Sequence, residues 1–165
     1  MWVFCGGMFR SGSTVQYQIA SHLVEHFGRG ERLTWQNADD FALVKSLHAE
    51  DDRLRVFKAH HLSEAIREEL DAVGGRVLTT HRDIRDVVAS AIRKNGWSFH
   101  HIWKHRMLSR WTERFDAWAA LPAALVSRYD DMVTHLDAEA VRIGRLLGMD
   151  VPAELAATVG ETYAI

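Results

Sequence analysis

The chain has 165 residues, 47% of them apolar and 25% charged, with a formal net charge of −2. That is the size and make-up of one ordinary globular domain, 1–165, with enough apolar residues for a single core. The near-neutral charge argues against bulk nucleic-acid binding. The single cysteine, Cys5, excludes an internal disulfide framework and fits a reducing, cytoplasmic setting. No apolar run approaches the roughly 20 residues of a membrane span, and the N-terminus lacks the basic region of a signal peptide, so no membrane partner is expected.

Taken in chain order, Trp2–Gly6 is an apolar run that reads as a first strand. Val15, Ile19, Leu23, Val24 and Phe27 fall at helical spacing, predicting a helix over Ser13–Phe27 that Gly28 and Gly30 end. The Asn37–Asp40 cluster predicts a short helix running to about His48. A second strand is expected over Leu54–Ala59. Ser63 suits the N-cap of a helix through Val73, stopped by Gly74 and Gly75. Arg76–Thr80 reads as the third strand and Asp83 to about Lys94 as a helix ending near Asn95 and Gly96. A long aromatic-rich helix is expected from Ser98 to about Ala120, broken by Pro122. Ala124–Arg128 reads as the fourth strand, with helices over Asp130–Leu147 and Pro152–Val159. Strands alternating with helices predict an α/β fold: a three-layer, P-loop-like domain with a mainly parallel sheet of four to five strands, covered on both faces. Ligands of such sheets bind beyond the carboxyl ends of the strands.

The first of those ends carries the densest signal. Gly7 to Thr14 fits the phosphate-loop spacing G-x-x-x-x-G-K-[ST] at every position but one, because Ser13 stands where that loop has Lys. Gly7 and Gly12 allow positive φ and close ligand approach. Successive N–H groups in such a turn form an anion nest, and the following helix adds the positive end of its dipole. Ser11, Ser13 and Thr14 bring hydroxyl donors, and Arg10 a planar pair of donors for an oxyanion. A nucleoside triphosphate with its metal would be poorly neutralised without the Lys. An ordinary Gly/Ser turn would share these letters, so the other strand ends matter.

The second strand ends in Lys58-Ala59-His60-His61. In extended chain, residues two apart point the same way, so Lys58 and His60 project together. A Lys suits neutralisation of a transferring anion, and a His suits acceptance of a hydroxyl proton. His61 competes with His60 for that role, and both could equally be a solvated surface pair. Arg82 follows the third strand, and Ser90 stands eight residues on, about two turns into the next helix. Together they suit a second phosphate, though a plain helix start would look similar. Arg128-Tyr129-Asp130-Asp131-Met132 closes the fourth strand, with Tyr129 in reach of a base or sugar. Eight Lys/Arg against three Asp/Glu fall between Arg82 and Arg114, against three and eight from Asp116 onward, so the basic third is where an anionic ligand's wall is expected.

Together these segments resemble the sulfotransferases that use 3′-phosphoadenosine 5′-phosphosulfate (PAPS). Phe9-Arg10-Ser11-Gly12-Ser13-Thr14 is similar to their 5′-phosphosulfate loop. Arg82 with Ser90 is similar to their 3′-phosphate motif. Lys58-Ala59-His60 is similar to the Lys-x-His that holds their general base, and Arg128–Met132 to their Tyr-Glu-Asp-Leu segment. Val15 stands where the family often has an adenine-facing Trp, and its Gly-rich carboxyl-terminal Arg/Lys segment has no counterpart in this short chain. The resemblance implies sulfuryl transfer from PAPS, as co-substrate, to a hydroxyl or amine of a small-molecule acceptor, with no metal required. The implied catalytic residues are His60, Lys58 and Arg10. The implied nucleotide-binding residues are Arg10, Ser11, Gly12, Ser13, Thr14, Arg82, Ser90 and Tyr129.

For the acceptor, Trp97, Phe99 and Trp103 suit an apolar pocket, although an amphipathic helix packed on a core would show the same pattern. His101 and His105 are four apart, but no further ligand set accompanies them, so no metal site is expected. The six tryptophans leave room for a homodimer interface. Two other readings stay open: a small-molecule kinase with a degenerate loop, and a nucleotide-binding module without catalysis.

Overall fold

A computed structural model describes residues 1–34, 37–48 and 51–164. Among them, β1 (Trp2–Cys5), β2 (Gly30–Arg32), β3 (Leu54–Lys58), β4 (Arg76–His81) and β5 (Leu125–Arg128) form one sheet in the order β2-β3-β1-β4-β5. All four pairings are parallel, with Phe4 beside Phe57 on one side of β1 and beside Val77 on the other. The α/β class and the parallel sheet agree with the sequence. β1 lies centrally, and the chain crosses from its β3 side to its β4 side. The end of β1 is therefore the switch point where parallel sheets open a ligand crevice.

Alternation along the strands divides the core between two faces. Val3, Cys5, Val56 and Leu78 face α1 (Ser13–His26), α8 (Leu136–Leu146) and α9 (Ala153–Thr162), where Ile19, Leu23, Ile143 and Val159 are fully buried. Trp2, Phe4 and Phe57 face α2 (Phe41–Ser46), α3 (Glu64–Ala72) and α6 (Met107–Ala119), around Phe41, Ile66 and Trp118. Burying one such side chain contributes about 1.5–3 kcal/mol. A smaller cluster forms beyond the sheet end. Met8 packs there with Val87 and Ala91 of α4 (Ile84–Asn95), Ile102 of α5 (Phe99–Lys104) and Trp111 of α6.

Three elements differ from the sequence reading. Gly28 does end α1, with φ 63°, but Gly30 opens β2 instead of closing a helix. A Cβ at Gly30 would lie 1.8 Å from the Leu54 carbonyl oxygen, so only glycine allows the strand to pair that closely. The three residues Gly30-Glu31-Arg32 show no alternation that a pattern search could find. The long helix expected over Ser98–Ala120 is two helices, α5 and α6, because Arg106 takes a left-handed φ of 52°. That turn re-aims α6 so that Trp111 and Trp118 both reach the core. The helix expected over Asp130–Leu147 is likewise two, α7 (Tyr129–Thr134) and α8, broken at His135 with φ −135° and ψ 60°.

Candidate functional site

The loop after β1 is held by backbone pairing that extends the sheet. Gly6 N–H donates to the Leu78 carbonyl at 2.8 Å and Met8 N–H to that of Thr80 at 2.9 Å. Gly6 can carry no side chain, since a Cβ there would lie 2.3 Å from the Trp118 ring. Gly7, at φ 127°, brings its backbone against Thr80. The buried Ser11 hydroxyl bonds the Met8 carbonyl at 2.5 Å and the Thr80 hydroxyl at 2.7 Å. Its side chain therefore ties the loop to β4, and what Ser11 offers a ligand is its N–H. Gly12 caps α1 at φ 88°. Val15 and Gln16 N–H are the first to reach a backbone carbonyl, that of Gly12. No backbone N–H from Phe9 to Thr14 does so among the described residues. This row of N–H donors without a backbone partner at a helix start has the geometry of an anion nest.

The loop floors a cleft of about 290 Å³ lined by Phe9 through Val15, with Lys58, His60, Arg82 and Tyr129. Lys58 leaves the end of β3, is nearly buried at 8% exposure, and donates its ammonium to Thr14 Oγ1 at 2.5 Å. Burial holds its pKa below the ordinary lysine value. His60 sits two residues on, edge to face with Phe9 at 6.2 Å. Burial first, then the charges of Lys58 and Arg114, hold its pKa down at about 4. At neutral pH its imidazole is thus uncharged and able to accept a proton. The His61 ring turns instead to Asp39, with Nε2 to Oδ1 at 3.0 Å, and does not line the cleft.

Arg82 enters from the end of β4 and lays its guanidinium over the Tyr129 ring, 3.9 Å from the centroid. Its Nε is buried without a hydrogen-bond partner among the described residues, and Asp86 Oδ2 stands 4.0 Å off. A buried guanidinium donor left open beside a cleft is suited to an oxyanion. Arg10, with its backbone at φ 57°, reaches across and donates from Nε to Ser90 Oγ at 3.0 Å. Ser90, on α4, does not itself line the cleft but is joined to it through Arg10. The tertiary structure thus brings nine of the ten residues implied for catalysis and nucleotide binding into the cleft lining, with Ser90 behind them against Arg10. It also places Cationic groups (Arg10, Lys58, Arg82) around a cleft whose lining contains no carboxylate.

Two neighbours of these residues escaped the sequence reading. Thr80 anchors Ser11, and Arg114 lies within electrostatic reach of His60; neither falls in a motif. Of the aromatics expected near an acceptor, Trp97 stacks on Phe9 at 6.0 Å and so backs the cleft wall. Phe99 and Trp103 stack on each other, 56% and 67% exposed, and neither lines the cleft. The His101 and His105 rings lie 4.5 Å apart. No group of three or more His, Cys, Asp or Glu among the described residues is placed to hold a metal ion. No described helix is long and apolar enough to cross a membrane.

Known structures with the same arrangement decide the fold. Retinol dehydratase, solved with androsterone and the inactive cofactor PAP (3′-phosphoadenosine 5′-phosphate), superposes with a TM-score of 0.72 at 18% identity, covering 98% of this chain. The mouse sulfotransferase SULT7A1, solved with PAP, superposes with a TM-score of 0.69 at 14% identity, covering 99% of this chain. This chain has the sulfotransferase fold. It spans 64% of the length of each of those two proteins. No protein-family model matches it, and no curated protein sequence does. Within the sulfotransferase fold of this chain, the cleft stands at the carboxyl ends of β1, β3, β4 and β5, each of which delivers at least one lining residue or leads directly into one.

Proposed function

We propose that residues 1–165 form one PAPS-dependent sulfotransferase domain that moves a sulfuryl group to a hydroxyl or amine of a small acceptor. The observation that carries this reading is the carboxylate-free cleft, in which an anion nest and three cations stand beside a neutral imidazole. The fold shared with two PAP-bound proteins supports the choice of nucleotide. The fit rests on the chain's own atoms. The unpaired N–H groups from Phe9 to Thr14, with Arg10, suit the 5′-phosphosulfate. The open Nε of Arg82, with Ser90 beside Arg10, suits the 3′-phosphate, and Tyr129 already carries Arg82 in place.

The co-substrate supplies an activated sulfuryl group, bridged by oxygen to phosphorus. The acceptor oxygen attacks sulfur, and the bond from sulfur to the bridging oxygen breaks, leaving the bisphosphate. His60 takes the acceptor's proton, because its burial keeps it neutral and Phe9 holds its ring at the cleft edge. Lys58, fixed by Thr14, places a positive charge where negative charge develops. The transferring sulfuryl group carries less charge than a γ-phosphoryl, consistent with Ser13 where a triphosphate loop has Lys.

Calorimetric titration with PAP and, separately, with ATP and Mg²⁺ tests the reading. PAP is expected to bind and ATP–Mg²⁺ to bind weakly at most. Tight ATP–Mg²⁺ binding without any response to PAP would favour a kinase and overturn it. A sulfate-transfer assay over an acceptor panel then separates an enzyme from a binding module. His60→Ala is expected to slow single-turnover transfer by about 10²–10⁴-fold, the usual contribution of general-base catalysis.

A further inference from the structure

The end of β4 is tied to the loop by more than sheet pairing, and Thr80 makes the ties. Its carbonyl accepts the Met8 N–H at 2.9 Å. Its hydroxyl meets Ser11 Oγ at 2.7 Å, and both residues are fully buried. Ser11 Oγ in turn lies 2.5 Å from the Met8 carbonyl oxygen and 3.1 Å from that of Thr80. A Cβ on Gly7 would lie 2.8 Å from the N, O and Oγ1 of Thr80, so the loop closes on this residue only through a glycine. The distances also set the direction of the bonds. A serine hydroxyl has one proton, and a carbonyl can only accept. The Ser11 proton therefore goes to Met8, the nearer carbonyl, and Thr80 Oγ1 donates to Ser11 Oγ. The result is a buried relay from the Thr80 hydroxyl through the Ser11 hydroxyl to the Met8 carbonyl, in which each bond polarises the next.

The relay ends on the peptide that opens the cleft wall. The Met8–Phe9 peptide is trans, and in a trans peptide the C=O and the following N–H point in opposite directions. Holding the Met8 carbonyl on Ser11 therefore turns the Phe9 N–H away from the buried hydroxyls. That N–H reaches no backbone carbonyl among the described residues, and the cleft lining begins at Phe9. The next residue, Arg10, is held at φ 57°, a left-handed conformation unfavourable for any residue but glycine. Ser11 follows it directly, so pinning the Ser11 side chain keeps the strained turn closed.

Building on the proposed sulfotransferase activity, we infer that Thr80 is a positioning residue for the 5′-phosphosulfate: its hydroxyl, acting through Ser11, aims the Phe9 N–H at the bound anion. Thr80 is fully buried and outside the cleft lining, so it acts only through its neighbours. A valine suits a buried parallel strand as well as a threonine does. The hydroxyl at this position thus answers to the loop and not to the sheet. Arg82, two residues on, serves the other end of the nucleotide and takes no part in the relay.

Thr80→Val keeps the β-branched shape and removes the hydroxyl. Binding to the full chain is measured by calorimetry with PAP, 5′-AMP, 3′-AMP and inorganic pyrophosphate. A hydrogen bond to a charged group corresponds to roughly ten- to a hundredfold in affinity. Thr80→Val is therefore expected to weaken PAP, 5′-AMP and pyrophosphate by about tenfold or more, and 3′-AMP by less than about twofold, since the Arg82 side keeps its contacts. Thr80→Ser retains the relay and is expected to stay within about threefold of wild type for all four probes. Ser11→Ala cuts the relay from its other end and is expected to show the same selective loss, which keeps the test open if Thr80→Val does not fold. Combined with Thr80→Val it is expected to add little, because both act through one hydrogen bond. A purely structural role would weaken all four probes alike, or give additive losses in the double variant. Either outcome overturns the inference, as does wild-type binding of 5′-AMP to Thr80→Val. If PAP does not bind the wild type, the sulfotransferase reading fails instead. Pyrophosphate then decides Thr80 by itself: weaker binding to Thr80→Val upholds a positioning role at an anion loop, and equal or undetectable binding overturns it.

Discussion

Gly12 and Gly74 provide a matched pair for measuring what the loop demands of its backbone. Their φ angles are nearly the same, 88° and 85°. A Cβ on Gly74 would meet nothing within 4 Å, whereas one on Gly12 would lie 2.5 Å from Met132 Cε and 2.9 Å from Tyr129 Cδ2. Left-handed backbone costs an alanine about 1–2 kcal/mol. Gly74→Ala is therefore expected to lose about that much, less the roughly 0.4–1 kcal/mol by which alanine stiffens the unfolded chain. Gly12→Ala carries the same terms plus overpacking, typically about 1–3 kcal/mol in a well-packed region. The difference between the two variants isolates the packing part. With a urea slope of about 1–3 kcal/mol per molar, the Gly12→Ala midpoint is expected to fall roughly 1 M below that of Gly74→Ala. Tryptophan fluorescence in urea measures it. PAP titration supplies a second readout, because Tyr129 carries Arg82 at 3.9 Å and moving that ring moves the clamp. Gly74→Ala is expected to bind PAP like wild type and Gly12→Ala several-fold more weakly. Equal midpoints for the two variants would refute the claim that Tyr129 and Met132 close over Gly12.

Three further outcomes follow from buried groups. The His60 imidazole is expected to titrate by NMR near pH 4 in the nucleotide-free protein, and higher with PAP bound, because the added anion opposes Lys58 and Arg114. Because the unfolded chain takes that proton near pH 6.5, stability is expected to fall as pH drops from about 6.5 toward 4, and His60→Asn to flatten that part of the profile; a midpoint at 6 or above without nucleotide would contradict the burial described. Cys5 is fully buried with its thiol pushed up to about 12, so a disulfide reagent at pH 8 is expected to leave it unmodified until urea unfolds the chain. Glu139, 2% exposed, takes hydrogen bonds from Ser127 at 2.5 Å, Gln16 at 3.3 Å and Arg142 at 2.7 Å, so Glu139→Leu is expected to cost roughly 2–3 kcal/mol by thermal or urea unfolding, and Glu139→Gln less.

The site was legible where chemistry sits in short contiguous patterns. The loop from Gly7 to Thr14, Lys58 with His60, and Arg82 with Ser90 each lie within nine residues, and a strand end or helix start fixes how such a run projects. The choice between His60 and His61 was not legible, because it turns on Asp39, which lies 22 residues earlier and draws His61 away from the cleft. The role of the Ser11 hydroxyl was equally hidden, since its partner Thr80 lies 69 residues on. Phe99 and Trp103 had the residue types of a pocket wall, but they lie on α5, before the left-handed turn at Arg106 that sends α6 into the core, and they stack on each other in solvent; no glycine or proline announces that turn.

The sequence by itself determined the alternation of strands and helices, the parallel sheet, and the tight glycine-bearing loop that opens α1, because periodicity and turn chemistry act over a few residues. Only the tertiary structure decided that β2 joins the edge of the sheet, that Arg10 reaches Ser90, and that Ser11 is anchored to Thr80. Those side-chain pairings span 80 residues for Arg10 and Ser90 and 69 for Ser11 and Thr80. Contacts of that range depend on how whole elements pack, and no local pattern carries them.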